Sequence, residues 1–102
     1  MAQFDLYEYR RSGSRAAFLV DVQSDLLDTL NTRVVIPLYP VTQDTFLVRT
    51  LNPTVELAGG TFFLSSAEMA AIRVSELKQL AGSLHAMRNE VIAAVDLLFT
   101  GI

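Results

Sequence analysis

Cysteine and tryptophan are absent from the 102 residues, and histidine occurs once. Without cysteine there is no disulfide, no thiolate metal site and no thiol nucleophile. A cysteine-free chain fits a reducing compartment. The start, "MAQFDLYEYRR", lacks the basic residues and following apolar stretch of a secretory signal. No apolar run approaches the roughly 20 residues needed to span a bilayer. A cytosolic location with no membrane partner is therefore expected.

Positive charge is also scarce. Eight Lys and Arg stand against 11 Asp and Glu, for a net charge of −3 and a pI near 4.9. Binding through a nucleic-acid backbone draws on clustered Lys and Arg, so this balance argues against direct nucleic-acid binding. Arg10, Arg11 and Arg15 do gather around one turn, and a solvated hairpin tip accounts for them. There is no glycine-rich phosphate loop and no GxSxG; "AGG" at 58–60 is a turn. A metal site needs several His, Cys, Asp or Glu side chains together. His85 stands alone, and a solvated helix residue accounts for it. A metal-free ribonuclease needs a base, an acid and a cation at the scissile phosphate. Asp21, Arg10, Arg15 and His85 could be assembled on paper, but their spacing does not require it, and structural hydrogen bonds are the simpler role for Asp21. No catalytic residue, cofactor or metal is expected, which leaves binding as the function.

What the chain has in excess is apolar surface. Hydrophobic residues make up 51% and charged residues 19%, with a mean hydropathy of +0.35. One domain of this length, spanning 1–102, buries roughly two thirds of its unfolded surface. Apolar groups left over after the core is filled point to a protein interface, and a homodimer is expected.

Along the chain, "QFDLYEY" alternates Phe4, Leu6 and Glu8 against Gln3, Asp5, Tyr7 and Tyr9, the pattern of a strand. "RRSGSR" is a turn and "AAFLVDV" a second strand, so residues 3–22 read as a hairpin. "QSDLLDTLNT" reads as a loop or a single helical turn around Leu26 and Leu27. "RVVIPLY" is a third strand, where Pro37 suggests an edge or a bulge. Residues 40–53 are looser. "TVEL" and "TFFL" form a hairpin in which Gly59 and Gly60 supply positive φ. Residues 65–82 read either as a helix capped by Ser65 or Ser66, or as a loop followed by a strand at 71–76. From Leu84 to Phe99 the residues Leu84, Met87, Val91, Val95 and Leu98 recur at helical spacing, with Ser83 as N-cap and Gly101 as a left-handed C-cap. Ile92, Leu97 and Phe99 lie off that stripe, which predicts a second buried face against another chain.

The segments "FLVDVQSDLLD" (18–28), "VVIPL" (34–38), "MAAIRVSEL" (69–77), "RNEVIAA" (88–94) and the final "GI" together resemble the CcdB family of toxins from toxin–antitoxin pairs. The resemblance implies a mainly β fold with a C-terminal helix, an SH3-like β-barrel of the CcdB/MazF type, in a homodimer. It decides residues 71–76 for strand. It implies a non-enzymatic toxin that binds the DNA gyrase A subunit, traps gyrase on cleaved DNA, and is neutralised by a CcdA-like antitoxin. The implied contact residues are Leu26, Leu27, Asp96, Phe99, Thr100, Gly101 and Ile102. The family pattern has tryptophan where this chain has Thr100, and an uncharged amide where it has Asp96. Alternatives on the same fold are a MazF-like endoribonuclease and a non-toxic antitoxin-binding relic. The dimer has a direct check: sedimentation equilibrium at micromolar concentration should return twice the 11.3 kDa chain mass, and a clean monomer would remove the expectation.

Overall fold

The alternation at the start of the chain produces the expected hairpin. In the computed structural model, which describes residues 1–101, β1 (Asp5–Glu8) pairs antiparallel with β2 (Phe18–Asp21), setting Leu6 opposite Val20 and Tyr7 opposite Leu19. Successive strand residues point to opposite faces, yet both Leu6 and Tyr7 are buried. The sheet has a core on each side. Phe4, Leu6, Val20, Ile36, Leu38, Leu64, Leu84 and Val91 fill one, and the smaller set of Tyr7, Leu19, Val35 and Leu77 fills the other.

The long third strand organises the rest. β3 (Thr32–Pro40) pairs with β2 on one side. On its other side it takes two partners in succession, β6 (Ala70–Arg73) along 32–35 and β5 (Gly60–Leu64) along 38–40. β4 (Thr54–Leu57) extends the sheet beyond β5, and β7 (Leu80–Ser83) extends it beyond β1. The result is a curled antiparallel half-barrel in the order β4-β5-β3-β2-β1-β7, with β6 on the side of β3. Helix α1 (Arg88–Thr100) lies on the larger core.

Several local expectations are corrected, and one strand lies outside them. Pro37 is on the central strand, neither at an edge nor in a bulge. Its carbonyl accepts from the Ser65 N–H, so its own nitrogen faces the side where β3 changes partner from β6 to β5. No ladder donor is required there, and the missing N–H costs nothing. The strand expected at 71–76 stops at Arg73, because Thr32, the first residue of β3, is opposite Arg73. Val74–Glu76 then turns, and Leu77 is buried behind it. Ser83 does not cap the α-helix. Its Oγ accepts from the His85 N–H at 3.1 Å and starts a 3-10 turn, His85–Met87, from which α1 continues. Finally, β7 has no sequence pattern because all four of its residues are exposed.

The helix stripe is confirmed at Leu84 and Val91, with Met87 and Val95 packed beside them, and Ile92 joins this core from off the stripe. Gly101 caps the helix with φ 74° and ψ 18°, and its N–H donates to the Leu97 carbonyl at 3.1 Å. In the β4–β5 hairpin, Leu57 is opposite Gly60, so the turn consists of Ala58 and Gly59, at φ 50° and 79°. Positive φ at both central residues is the type I′ geometry that favours Asn-Gly. Gly60 is therefore a strand residue, and Ala58 carries the strain that was expected to fall on glycine. Ala58 is exposed, so relieving that strain disturbs no packing. Ala58→Asn should raise the unfolding free energy by about 0.5–1 kcal/mol, measured by urea denaturation.

Candidate functional site

The ends of β2 and β3 carry polar groups in a dry space. Asp21, Gln23 and Arg33 are buried, Asp21 and Arg33 almost completely. Arg33 Nε donates to Asp21 Oδ2 at 2.7 Å, and Arg33 Nη2 donates to the Gln23 carbonyl at 3.3 Å. Asp21 Oδ1 accepts from the Gln23 N–H at 3.0 Å. The Gln23 side chain bridges the loop: Oε1 accepts from the Val34 N–H, and Nε2 donates to the Leu27 carbonyl, each at 3.0 Å. Among the described residues, Arg33 Nη1 is the one buried side-chain polar atom without a partner.

Burial works against the charge on Arg33. The hydrogen bond and charge of Asp21, with Asp25 at 3.7 Å, more than offset it and hold the guanidinium above its usual range. Burial also pushes the nearby Tyr7 phenol up, and the charges of Asp5 and Asp21 add to the effect. Ions taken out of water in this way are tolerated only when paired and hydrogen-bonded.

This network supports the turn that carries the two expected leucines. Asp25–Leu27 is a single 3-10 turn, capped by Ser24 Oγ accepting from the Leu26 N–H at 3.2 Å. Leu26 is 92% exposed, and Leu27 and Leu30 are each 48% exposed. A leucine that open gives up roughly 1.5–3 kcal/mol of available burial, so the turn is held open by its polar base and not by its own packing.

The helix end presents the second set. Phe99 is 70% exposed; Asp96 and Thr100 are exposed, while Leu97 and Leu98 are half-buried. Thr100 Oγ1 donates to the Asp96 carbonyl at 2.7 Å, folding the side chain back on the helix. Asp96 places a negative charge near a helix C-terminus, where the dipole disfavours it, and no basic residue occupies the last turn. Gly101 is in the expected left-handed cap; Ile102 lies outside the described residues. Within one protomer the two sets are on separate elements, the turn Asp25–Leu27 and the end of α1.

The candidate ribonuclease residues are not gathered. Asp21 is buried with both oxygens engaged by Arg33 and Gln23, matching the structural role expected for it. Arg10, Arg15 and His85 are exposed, and the His85 ring stands edge-on to Phe4 at 6.0 Å. No group of three or more His, Asp or Glu side chains that could hold a metal occurs among the described residues. No helix among them is long and apolar enough to cross a membrane.

The architecture is a curled antiparallel half-barrel sheet backed by one C-terminal helix, with apolar side chains exposed on a turn and on the helix end. The sequence matches the family model described as CcdB protein over residues 3–101. The chain belongs to the CcdB family and is a toxin of the toxin–antitoxin type.

The sequence reading missed Gln3, Gln23, Asp25 and Arg33. The available signal was Arg33, a lone cation opening the otherwise apolar run "RVVIPLY", 12 residues after the lone acid of "FLVD". Breaking this pair by Asp21→Ala leaves a buried guanidinium without its buried counter-ion, and the unfolding free energy should fall by about 3–5 kcal/mol in urea denaturation.

Proposed function

We propose that the protein acts as a homodimer that binds the A subunit of DNA gyrase, holds the enzyme on cleaved DNA, and is neutralised by a CcdA-like antitoxin. The toxin itself makes and breaks no bonds; gyrase cuts the DNA, and the toxin blocks resealing by occupying it. The observation that carries this reading is the pairing of exposed apolar side chains, Leu26 and Phe99, with a rigid base: a buried polar network under one and an α-helix under the other. Membership of the CcdB family supports gyrase as the partner. In a two-fold dimer each apolar end is present twice, so a partner with matching symmetry is gripped at two points.

Thr100 in place of tryptophan removes a large rigid anchor of the kind that dominates interfaces. Binding then leans more on Leu26, Leu27, Phe99 and Ile102. Asp96 adds a charge suited to a cationic group on the partner.

Removal of Gly101 and Ile102 separates function from stability. Gly101 contributes one capping hydrogen bond, so truncation should change the unfolding free energy by only about 0.5–1 kcal/mol. An isoleucine buried in a partner contributes roughly 1.5–3 kcal/mol per copy, so the truncated chain should lose capture of the gyrase A subunit and gyrase-dependent DNA cleavage. Thr100→Trp should strengthen both. A truncated chain that melts as before and still poisons gyrase would place the site elsewhere.

A further inference from the structure

The leucine turn is joined to the amino-terminal segment through one side chain that is mostly in solvent. Asp25 opens the turn, and its side chain is 61% exposed. Its Oδ1 accepts from the Gln3 N–H at 2.8 Å and faces Arg33 Nη2 at 3.7 Å. Gln3 is fixed in turn, its Nε2 donating to the Val22 carbonyl at 3.1 Å. The other bonds to the turn have a different task. Ser24 Oγ and Gln23 Nε2 set its internal shape and its tie to the β2–β3 loop. Among the described residues, the Asp25–Gln3 bond is the hydrogen bond that joins the turn directly to the segment that leads into β1.

We propose that Asp25 is a positioning residue for partner binding. By accepting from the Gln3 N–H it holds the amino-terminal segment and the Leu26–Leu27 turn as one body, so that Leu26 meets the partner already oriented. This rests on the reading that the leucine turn contacts the partner. The physical gain is preorganisation: a turn ordered before binding loses less conformational freedom on binding. The role is separable from stability. Arg33 keeps its shorter bond to Asp21 when Asp25 is changed, and water can reach the exposed Gln3–Asp25 bond.

The test compares the wild-type chain with Asp25→Ala and with Asp25→Asn, which keeps an oxygen for the Gln3 N–H. Three quantities are read: the thermal midpoint, amide hydrogen exchange over residues 24–30, and calorimetric affinity for the purified gyrase A subunit. Loss of a hydrogen bond to a charged group corresponds to about tenfold. Asp25→Ala should therefore speed exchange in 24–30 and weaken affinity by about tenfold each, with the midpoint shifted by only a few degrees. Asp25→Asn should restore both to near wild type. Unchanged exchange in Asp25→Ala overturns the proposal. So does lost affinity without faster exchange, which would mean that Asp25 touches the partner itself. Failure of Asp25→Asn to rescue overturns it as well. If the wild-type chain does not bind the A subunit, the gyrase reading fails, and the exchange comparison with its rescue still decides the positioning role.

Discussion

Between β2 and β3 an arginine and an aspartate occupy a space that water does not reach. Neither could be there alone, since an isolated buried ion costs several kcal/mol. The pair is tolerable because both Asp21 oxygens and the Arg33 Nε and Nη2 groups are engaged with each other and with Gln23, leaving Nη1 alone without a partner among the described residues. That requirement propagates outward. Satisfying Arg33 fixes the Gln23 carbonyl, and satisfying Gln23 fixes the Leu27 carbonyl and the Val34 N–H. The loop between the strands is therefore determined by polar bookkeeping at its base, and its apolar tip is free to point into solvent. An apolar base would have drawn Leu26 and Leu27 inward, as the hydrophobic effect does elsewhere in this chain.

The same separation of support from contact recurs at the helix. One face of α1 is tied to the core by Val91 and Ala94, and the end carrying Phe99 extends past it. Gly101 closes the backbone with a left-handed cap, while Thr100 turns its hydroxyl onto the helix. The curled sheet links the two regions: β3 carries Arg33 at its start and Ile36 and Leu38, part of the core beneath α1, further along.

Periodic elements were legible in the sequence and aperiodic ones were not. The first hairpin alternates in sequence although both of its faces are buried, and the hairpin after residue 54 and the final helix carry apolar side chains at the strand and helix periods, so their spacing showed. β7 buries nothing and holds its place through backbone pairing with β1 across a shift in register, which leaves no trace in side-chain chemistry. Pro37 misled because its meaning depends on a change of partner that only the tertiary fold supplies. Residues 71–76 were settled as strand by resemblance, and the structure shortens that strand because β3 has no residue left to pair. At the candidate site, apolar Leu26, Leu27 and Phe99 are exposed, whereas the polar base was only partly legible: Asp21 read as a hydrogen-bonded structural residue, but its partner Arg33 is identified only when the strands place the two together.

The double partnership of β3 also bears on the order of assembly. Its first half waits for residues 70–73 and its second half for residues 60–64, while the larger core stays open until Leu84 and Val91 arrive from the last segment. Pairings between distant parts of a chain form slowly because loop closure must come first. During synthesis the strands emerge with Leu38, Leu64 and Ile36 uncovered, and the helix that seals them is made after all of them. The apolar core face is thus open for the whole of translation before α1, a period in which a chaperone can hold the chain and in which the α1 end of the candidate site does not yet exist.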